Sequence, residues 1–478
     1  MPDGVVRGAL KRNAYADSVT LLQVTALVAN TTGVLDAALV MATELNRQVL
    51  ADSALTFDGL EAAGPNDLAI AVRASTETVA EAAVQDAERL LAQRHPTPGA
   101  GASSQAPRSL RSAKRSNPDA NLAVISVPGP YAAAEARQAL AEGLHVFLFS
   151  DNVDLEDEIQ LKREAQQRDL LVMGPDCGTA ILNGVGLGFA NVVRKGRIGL
   201  IGASGTGIQE VSCLLDRAGV GISHAIGTGG RDLHADVGGV TTLQALRLLE
   251  ADPQTDTIVL ISKPPAEAVA RQILDAAAGT GKPVIACLLG PTVEPPRGVQ
   301  MASNLYQAAR LAAPHAHWSS MGPDHLPHVR RAVERTQIRA LYCGGTLCEE
   351  AAFEIGHSAG NEFVDFGDDR YTRGRAHPMI DPTLRNRAIT SAVHDPRVAV
   401  VLLDVILGYG AHPDPAGALA SVVRGAPPTV AILAHVVGTA GDPQGLTQQE
   451  HTLRAAGVHV FGSNHHAAVA ASLLVEPS

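Results

Sequence analysis

The feature that most constrains this chain of 478 residues is an internal repeat. Ile198-Gly199-Leu200-Ile201-Gly202 reads as a buried strand, Ala203-Ser204-Gly205-Thr206 as a small-residue turn, and the following stretch as a helix. Ile338 to Tyr342, then Cys343-Gly344-Gly345-Thr346, repeats that order. Asp252-Pro253 precedes the apolar run Thr257 to Ile261, and Asp395-Pro396 precedes Ala399 to Leu403. Lys282-Pro283 before Val284 to Leu289 matches Pro427-Pro428 before Val430 to Leu433. The three pairs of landmarks recur at one spacing of about 140 residues, the mark of a duplicated supersecondary unit.

Short apolar strands alternating with helices of about 10–15 residues make a mostly parallel sheet. Two flavodoxin-like modules are therefore expected over residues 196–323 and 337–478. Upstream, Leu122 to Val127, His145 to Phe149 and Leu170 to Met173 read as strands, with helices at Tyr131 to Glu142 and Leu155 to Arg168. That places a Rossmann-type α/β domain over 121–195. Residues 95–120 carry Pro, Ser, Gly and the basic residues Arg108, Arg111, Lys114 and Arg115, with almost no large apolar side chain, and read as a linker with solvated charges. Residues 1–94 read as a small α/β domain with strands at Ala37 to Met41 and Leu68 to Val72 and a helix at Thr76 to Leu91.

Composition narrows the function classes. There are 49 acidic against 38 basic residues and a net charge of -11, which disfavours a nucleic-acid partner. Aromatic residues are 3% of the chain, too few for base-stacking platforms. The five cysteines, Cys177, Cys213, Cys287, Cys343 and Cys348, form no C-x-x-C pair, so neither a disulfide framework nor a zinc ribbon is indicated. His315, His317, His325 and His328 are interrupted by prolines and read as loop rather than metal ligands, so no metal is expected. The longest apolar run, Val398 to Ile406, is broken by Asp404, so no membrane span is expected, and the chain reads as cytoplasmic.

The chemistry-bearing segments are the two turns. A strand, a small-residue turn and a helix aim free N–H groups and the positive helix end at a ligand above the turn, a geometry suited to phosphate. Ser204, Gly205 and Thr206 in one module and Gly344, Gly345 and Thr346 in the other are the candidate phosphate-binding residues. If the modules face each other, two helix N-termini clamp one phosphoryl group. Gly227-Thr228-Gly229-Gly230-Arg231-Asp232 follows the strand Ile222 to Ile226, at the carboxyl end of a parallel sheet where ligands bind. Gly229, Gly230 and Arg231 are thus substrate-binding candidates. Arg370 and Arg375 are two more, in a cluster with Arg373 and Arg385 that serves either anion recognition or ion pairs with Asp365, Asp368 and Asp369.

Val127-Pro128-Gly129-Pro130, Gly174-Pro175-Asp176-Cys177, Ser204-Gly205-Thr206, Gly227 to Asp232 and Asp252-Pro253-Gln254-Thr255 occur in the order of a succinyl-CoA ligase alpha subunit. Residues 338–470 resemble the carboxyl-terminal ligase domain of the beta subunit. The chain therefore resembles the succinyl-CoA ligase superfamily, the NDP-forming acyl-CoA synthetases. Ser150-Asp151-Asn152-Val153, Ser262-Lys263-Pro264-Pro265 and the run from Arg375 through His377 and Pro378 to Asn386 resemble its FdrA family of putative acyl-CoA synthetases. The resemblance implies an α/β fold. A small N-terminal α/β domain precedes a Rossmann-like CoA-binding-type domain and two flavodoxin-like ligase modules. It also implies CoA contacts at Val127, Pro128 and Asp151, CoA as a cosubstrate, and ATP bound only through a partner subunit.

Departures from the family matter too. Succinyl-CoA ligases relay phosphate through a histidine in a Gly-His-Ala-Gly motif, whereas Thr292 to Leu305 holds no histidine and Met301 falls near its place. The glutamate that holds that histidine is matched here by Lys263, which is either a catalytic cation for phosphate or an exposed lysine at a strand end. Three functions follow from the resemblance. They are an acyl-CoA synthetase-like enzyme acting on a small acyl phosphate or carboxylic acid, a subunit of an oxamate carbamoyltransferase complex of allantoin degradation using carbamoyl phosphate, and a non-catalytic scaffold. Companion protein subunits and an oligomer are implied in each.

Overall fold

The computed structural model describes residues 4–14, 16, 18–29, 31–94, 107, 109–290, 293–318, 334–356, 360–372 and 376–475. It divides into two compact units, Met1–Ala106 and Pro107–Ser478.

The first unit runs β1 (Val5–Lys11), α1 (Ser18–Ala29), β2 (Val34–Met41), α2 (Glu44–Asp52), β3 (Leu68–Ala74) and α3 (Glu77–Arg94). Its three strands pair antiparallel in the order β1-β3-β2. The central strand β3, Leu-Ala-Ile-Ala-Val-Arg-Ala, is buried on both faces, and its apolar character follows from that. Leu21, Val24 and Val28 of α1 and Ala83, Ala87 and Leu91 of α3 bury one face of the sheet. Leu50, Leu55 and Leu60 cover the other.

The second unit opens with α4 (Leu110–Ser116), β4 (Leu122–Ile125), α5 (Gly129–Ala141), β5 (His145–Leu148), α6 (Leu155–Gln167) and β6 (Val172–Met173). β4, β5 and β6 form a small parallel sheet in that order. Part of the stretch expected to be a linker is therefore helical. Ser109 and Ser112 form a capping box, Arg111 pairs with Glu142 at 2.8 Å, and Lys114 donates to the carbonyls of Pro118 and Ala120. Arg108 lies outside the described residues. A hairpin of β7 (Thr179–Leu182) and β8 (Val185–Gly188), unrecognised in the sequence, leaves the small sheet and joins the next one.

The first repeat contains β9 (Lys195–Gly202), α7 (Gly205–Arg217), β10 (Ile222–Gly227), α8 (Val240–Ala251), β11 (Thr257–Ser262), α9 (Glu267–Ala278), β12 (Val284–Leu288), β13 (Val299–Met301) and α10 (Leu305–Ala312). The second contains β14 (Gln337–Tyr342), α11 (Gly345–Ile355), β15 (Glu362–Asp365), α12 (Asp369–Thr372), α13 (Thr383–His394), β16 (Val398–Ile406), α14 (Pro415–Val423), β17 (Ala431–Val437), α15 (Leu446–Ala455), β18 (His459–Phe461) and α16 (Asn464–Val475). The sheets read β13-β12-β11-β9-β10-β7-β8 and β15-β14-β16-β17-β18. Numbered within each repeat, both follow the flavodoxin order 2-1-3-4-5, with the switch point beside the first strand.

A single apolar core crosses both repeats. Ile208 and Val211 of α7, Leu305 and Ala308 of α10, Leu347 and Ala351 of α11, and Ala467, Ala468 and Ala471 of α16 all belong to it. Alanines at these contacts let the helices approach closely, and each buried Leu or Ile stabilises by roughly 1.5–3 kcal/mol. The two switch points are thereby held together, and with them the two turns.

Candidate functional site

β9 runs into Ser204, whose Oγ accepts from the Gly207 N–H at 3.0 Å and so caps α7. The equivalent residue before α11 is Gly344, which brings no side chain to the cap. The two turns meet. Ser204 Oγ and Thr346 Oγ1 hydrogen-bond to each other, and a Cβ on Gly344 would lie 3.0 Å from Thr206 Cβ. Two helix N-termini therefore converge, each with the positive end of its dipole turned to the same space.

The second turn is held from below by a carboxylate. Asp404 of β16 accepts from the N–H groups of Cys343 at 2.8 Å and Gly344 at 2.7 Å. Its counter-ion is Arg385 of α13, at 2.9 Å, and both side chains are buried. Burial pushes the Asp404 carboxyl up, while Arg385 and the two turn amides pull it down. The Gly344 N–H is thus taken by Asp404 and is not free for a phosphate, which corrects the expectation for that residue. The mutual bond of Ser204 and Thr346 likewise means that a ligand would have to compete for their hydroxyls.

Above the turns lies a charged mouth. Lys263 follows β11, is exposed, and pairs with Asp365 at the end of β15 at 3.8 Å. A Cβ on Gly345 would lie 2.5 Å from Lys263 Nζ, so the ammonium sits against the first turn of α11. Burial raises Asp365 to about 6, with Lys263 opposing. Asp176, after β6, has φ +54°, a left-handed backbone that Asp tolerates better than most residues. It is open to the cleft yet hemmed in by protein. Desolvation, then Asp151 and Asp369, raise it to about 7 against the pull of Lys263 and Arg231.

Other expected residues are differently employed. Arg231 donates to Glu158 at 2.9 Å and to the Val153 carbonyl at 2.6 Å, so its guanidinium serves the protein. Glu158 in turn joins Lys162 and Asp232 in a fully buried ion cluster that ties α6 to the loop after β10. Gly229 has φ +88° and closes on Gly174 and Pro175, so packing alone demands a glycine there. Gly230 stands beside Asp176, its Cβ position 3.4 Å from Oδ2. Arg370 is exposed over the Tyr371 ring beside Asp368, away from the turns' hydrogen-bond network. Arg375, like Arg373, His325 and His328, lies outside the described residues. Val127 gives its carbonyl to Ser150, and Pro128 precedes α5. Asp151 lies near enough for its charge to raise the Asp176 carboxyl. All five cysteines are buried, and desolvation lifts Cys177 to about 12, as befits packed thiols.

Two features escaped the sequence reading. Asp404 was visible as the lone charge in an otherwise apolar strand, and only pairing makes such a residue tolerable in a sheet interior. Glu210 and Glu350 occupy equivalent places in α7 and α11 and cap across the repeats. Glu350 accepts from the Leu305 N–H of α10 at 2.7 Å, and Glu210 from the Asn464 N–H of α16 at 3.3 Å. Glu350 also accepts from Asn464 Nδ2, and Glu210 pairs with His435 at 2.7 Å. Charge in both copies at the same point of the repeat was the available signal.

Comparison with known proteins places this geometry. Residues 341–474 match the CoA-ligase family, residues 193–289 the CoA binding domain, and residues 5–107 the family described as AllF, heavy metal-associated domain. The uncharacterised protein YahF of Escherichia coli K12 is 41% identical over 96% of both chains. The chain belongs to the succinyl-CoA ligase superfamily, as an FdrA-like member. The mitochondrial succinate–CoA ligase [ADP-forming] subunit alpha-2 of Trichomonas vaginalis is 32% identical over 37% of this chain, which spans 59% of that subunit. Among solved structures, PH0766 from Pyrococcus horikoshii OT3 aligns over 78% of this chain and 86% of its own, at 16% identity and a TM-score of 0.35. The acetyl-coenzyme A synthetase 1 of Ca. Korarchaeum cryptofilum, in complex with phosphate and ADP, aligns over 79% and 86%, at 15% identity and a TM-score of 0.34.

Two consequences follow for this FdrA-like chain. The CoA binding match covers β9 to β12, the first repeat, rather than the 121–195 segment where such a domain was expected. The heavy-metal family name does not fit the residues present. The first cysteine of the chain is Cys177, and the first unit holds a single histidine, His95, outside the described residues. Soft thiolate ligation is therefore unavailable there. Among the described residues no group of three His, Cys, Asp or Glu could hold a metal ion, and no helix is long and apolar enough to cross a membrane.

Proposed function

We propose that this chain binds a small acyl phosphate or carbamoyl phosphate between its two facing turns and passes the acyl or carbamoyl group to CoA or another small acceptor, with no phosphohistidine of its own. The observation that carries this reading is the direct bond of Ser204 to Thr346. It brings two helix N-termini together with Lys263 at their mouth. The N–H groups of Gly205 and Thr206 on one side, and of Gly345 and Thr346 on the other, would hold the phosphoryl oxygens, with Lys263 neutralising charge.

The loss of the relay supports this reading. Met301 ends the edge strand β13 and packs against an apolar cluster, where a thioether cannot accept a phosphoryl group. Lys263, in place of a carboxylate, favours the anion directly. An acyl phosphate arrives already activated. Attack by the acceptor forms the new bond to the acyl carbon, and the carbon–oxygen bond to phosphate breaks with its electron pair leaving on phosphate. Asp176, held near 7, is the carboxylate at the mouth suited to take the acceptor's proton.

The test is turnover by the full chain. Acetyl phosphate with CoA, and carbamoyl phosphate with oxamate, are each followed by phosphate release, alone and with any companion subunits that co-purify. Ser204→Ala with Thr346→Val, or Lys263→Ala, is expected to lower kcat/KM at least tenfold. Full activity in both variants refutes the cradle.

A further inference from the structure

The run from Arg375 to Asn386 supplies Arg385 to the second turn and also carries a histidine, His377. His377 lies between α12 and α13 in the chain. The Met379 N–H donates to its Nδ1 at 3.2 Å, which assigns the ring proton to Nε2. Among the described residues no hydrogen bond or ion pair engages Nε2. One face of the ring packs on Phe189, with centroids 5.5 Å apart.

The position of Nε2 relative to the site follows from Gly367. A Cβ there would lie 2.8 Å from His377 Nε2 and 3.1 Å from Asp365 Oδ1. The other oxygen of Asp365 faces Lys263 and Gly345. Asp365 thus neighbours both the ammonium at the α11 turn and, across Gly367, the imidazole. Phe189 reaches the other turn. Its carbonyl accepts the Thr179 hydroxyl at 2.7 Å, and that hydroxyl lies 3.1 Å from a Cβ built on Gly205. The unengaged N–H therefore lies close to the Cys343 carbonyl before α11 and to Asp365, the carboxylate that faces Lys263.

We propose that His377 donates its Nε2–H to the carbonyl oxygen of the acyl or carbamoyl group, next to the phosphate held by the turns. This rests on the reading of the site given above. The partition follows from charge. Lys263 and the helix N-termini suit a phosphate dianion, whereas an uncharged N–H flanked by a carboxyl group and a phenyl ring suits a neutral dipole. Burial and Arg385 lower His377 to about 4, so the ring stays uncharged at neutral pH. With Nδ1 engaged and Nε2 protonated, the imidazole has no free lone pair, so it does not replace the absent phosphoryl relay. During transfer the carbonyl π pair moves onto oxygen as the acceptor attacks, and Nε2–H stabilises that oxyanion. Re-forming the carbonyl expels phosphate with the carbon–oxygen pair, so nothing is oxidised or reduced.

Calorimetric titration of the full chain with inorganic phosphate and with acetyl phosphate separates the roles. His377→Ala is expected to weaken acetyl phosphate roughly tenfold, about one hydrogen bond, and to leave inorganic phosphate unchanged. His377→Gln, whose amide N–H can reach the same place, should recover part of the loss, and a melting curve on each variant confirms folding. In the wild type, ¹⁵N correlation spectra of labelled histidine should show the Nε2–H tautomer of His377 from pH 5.5 to 8. Equal weakening of both ligands, no effect on either, or an Nδ1–H ring overturns this assignment alone. Failure of the wild type to bind either ligand overturns the cradle itself, and this inference with it.

Discussion

The two repeats share a strand order and a turn, but they finish that turn differently. α7 is capped by its own Ser204, and among the described residues no other side chain caps its first turn. α11 has no capping side chain of its own and hands its turn amides to Asp404, a residue from the neighbouring strand backed by Arg385. Gly207 and Leu347 hold equivalent places and show the same asymmetry. A Cβ on Gly207 would lie 2.8 Å from Ile261 and 3.3 Å from Thr346 Cγ2, whereas Leu347 is a fully buried member of the shared core. One turn is small and adaptable, the other braced by a buried ion pair. Duplication supplied two similar helix starts, and their facing arrangement then required one to yield room and the other to be anchored.

The largest expected effect breaks the braced turn. Asp404→Ala leaves Arg385 buried without a counter-ion and two turn amides without an acceptor, and should cost about 3–5 kcal/mol in urea-unfolding measurements. Gly207→Leu, which gives the first repeat the residue of the second, should drive the turns apart. Overpacking of about 1–3 kcal/mol and loss of phosphate binding are expected together. Retained binding in that variant shows that the contact of the turns is dispensable.

Smaller effects sharpen the comparison. Ser204→Ala removes a cap that α11 lacks and should cost about 1 kcal/mol. Thr346→Val, which removes the partner hydroxyl alone, should cost less. The crossed caps differ in their response to pH. Burial raises Glu350 to about 7 against its ordinary 4.5, so the folded chain holds a proton that the unfolded chain releases. Stability from that proton is present at low pH and lost as pH rises from about 4.5 to 7. The wild type should therefore lose melting temperature relative to Glu350→Gln across that window. A constant difference would mean that Glu350 stays ionised throughout.

Much of this architecture was legible in the chain because the buried parts of parallel strands read as short apolar runs, as in β9 from Ile198, β11, β14 and, but for Asp404, β16. The repeat singled out the two turns, and the structure brings their Ser204 and Thr346 into contact. What the pattern could not convey was competition for those groups. Asp404 is distant from Cys343 and Gly344 in sequence, and only strand adjacency brings its carboxylate to their N–H groups. Arg231 looked free for the same reason, since Glu158 reaches it from α6. The hairpin β7–β8 was missed because Asn183-Gly184 connects strands of only four residues each. His377 was legible as part of a motif, but its orientation depends on a backbone contact two residues away.

The most direct test of the central claim is an anion located in a crystal. Selenate, a phosphate mimic with an anomalous signal and a fixed charge between pH 6 and 8, is soaked at a concentration that saturates binding in solution. One anomalous peak is expected between the Gly205–Thr206 and Gly345–Thr346 amides, within reach of Lys263 Nζ. The concentration needed to fill that site should fall as pH drops from 8 to 6 and Asp176 and Asp365 take up protons. A saturated crystal with no peak there, or with its strongest peak elsewhere on the chain, would contradict the account.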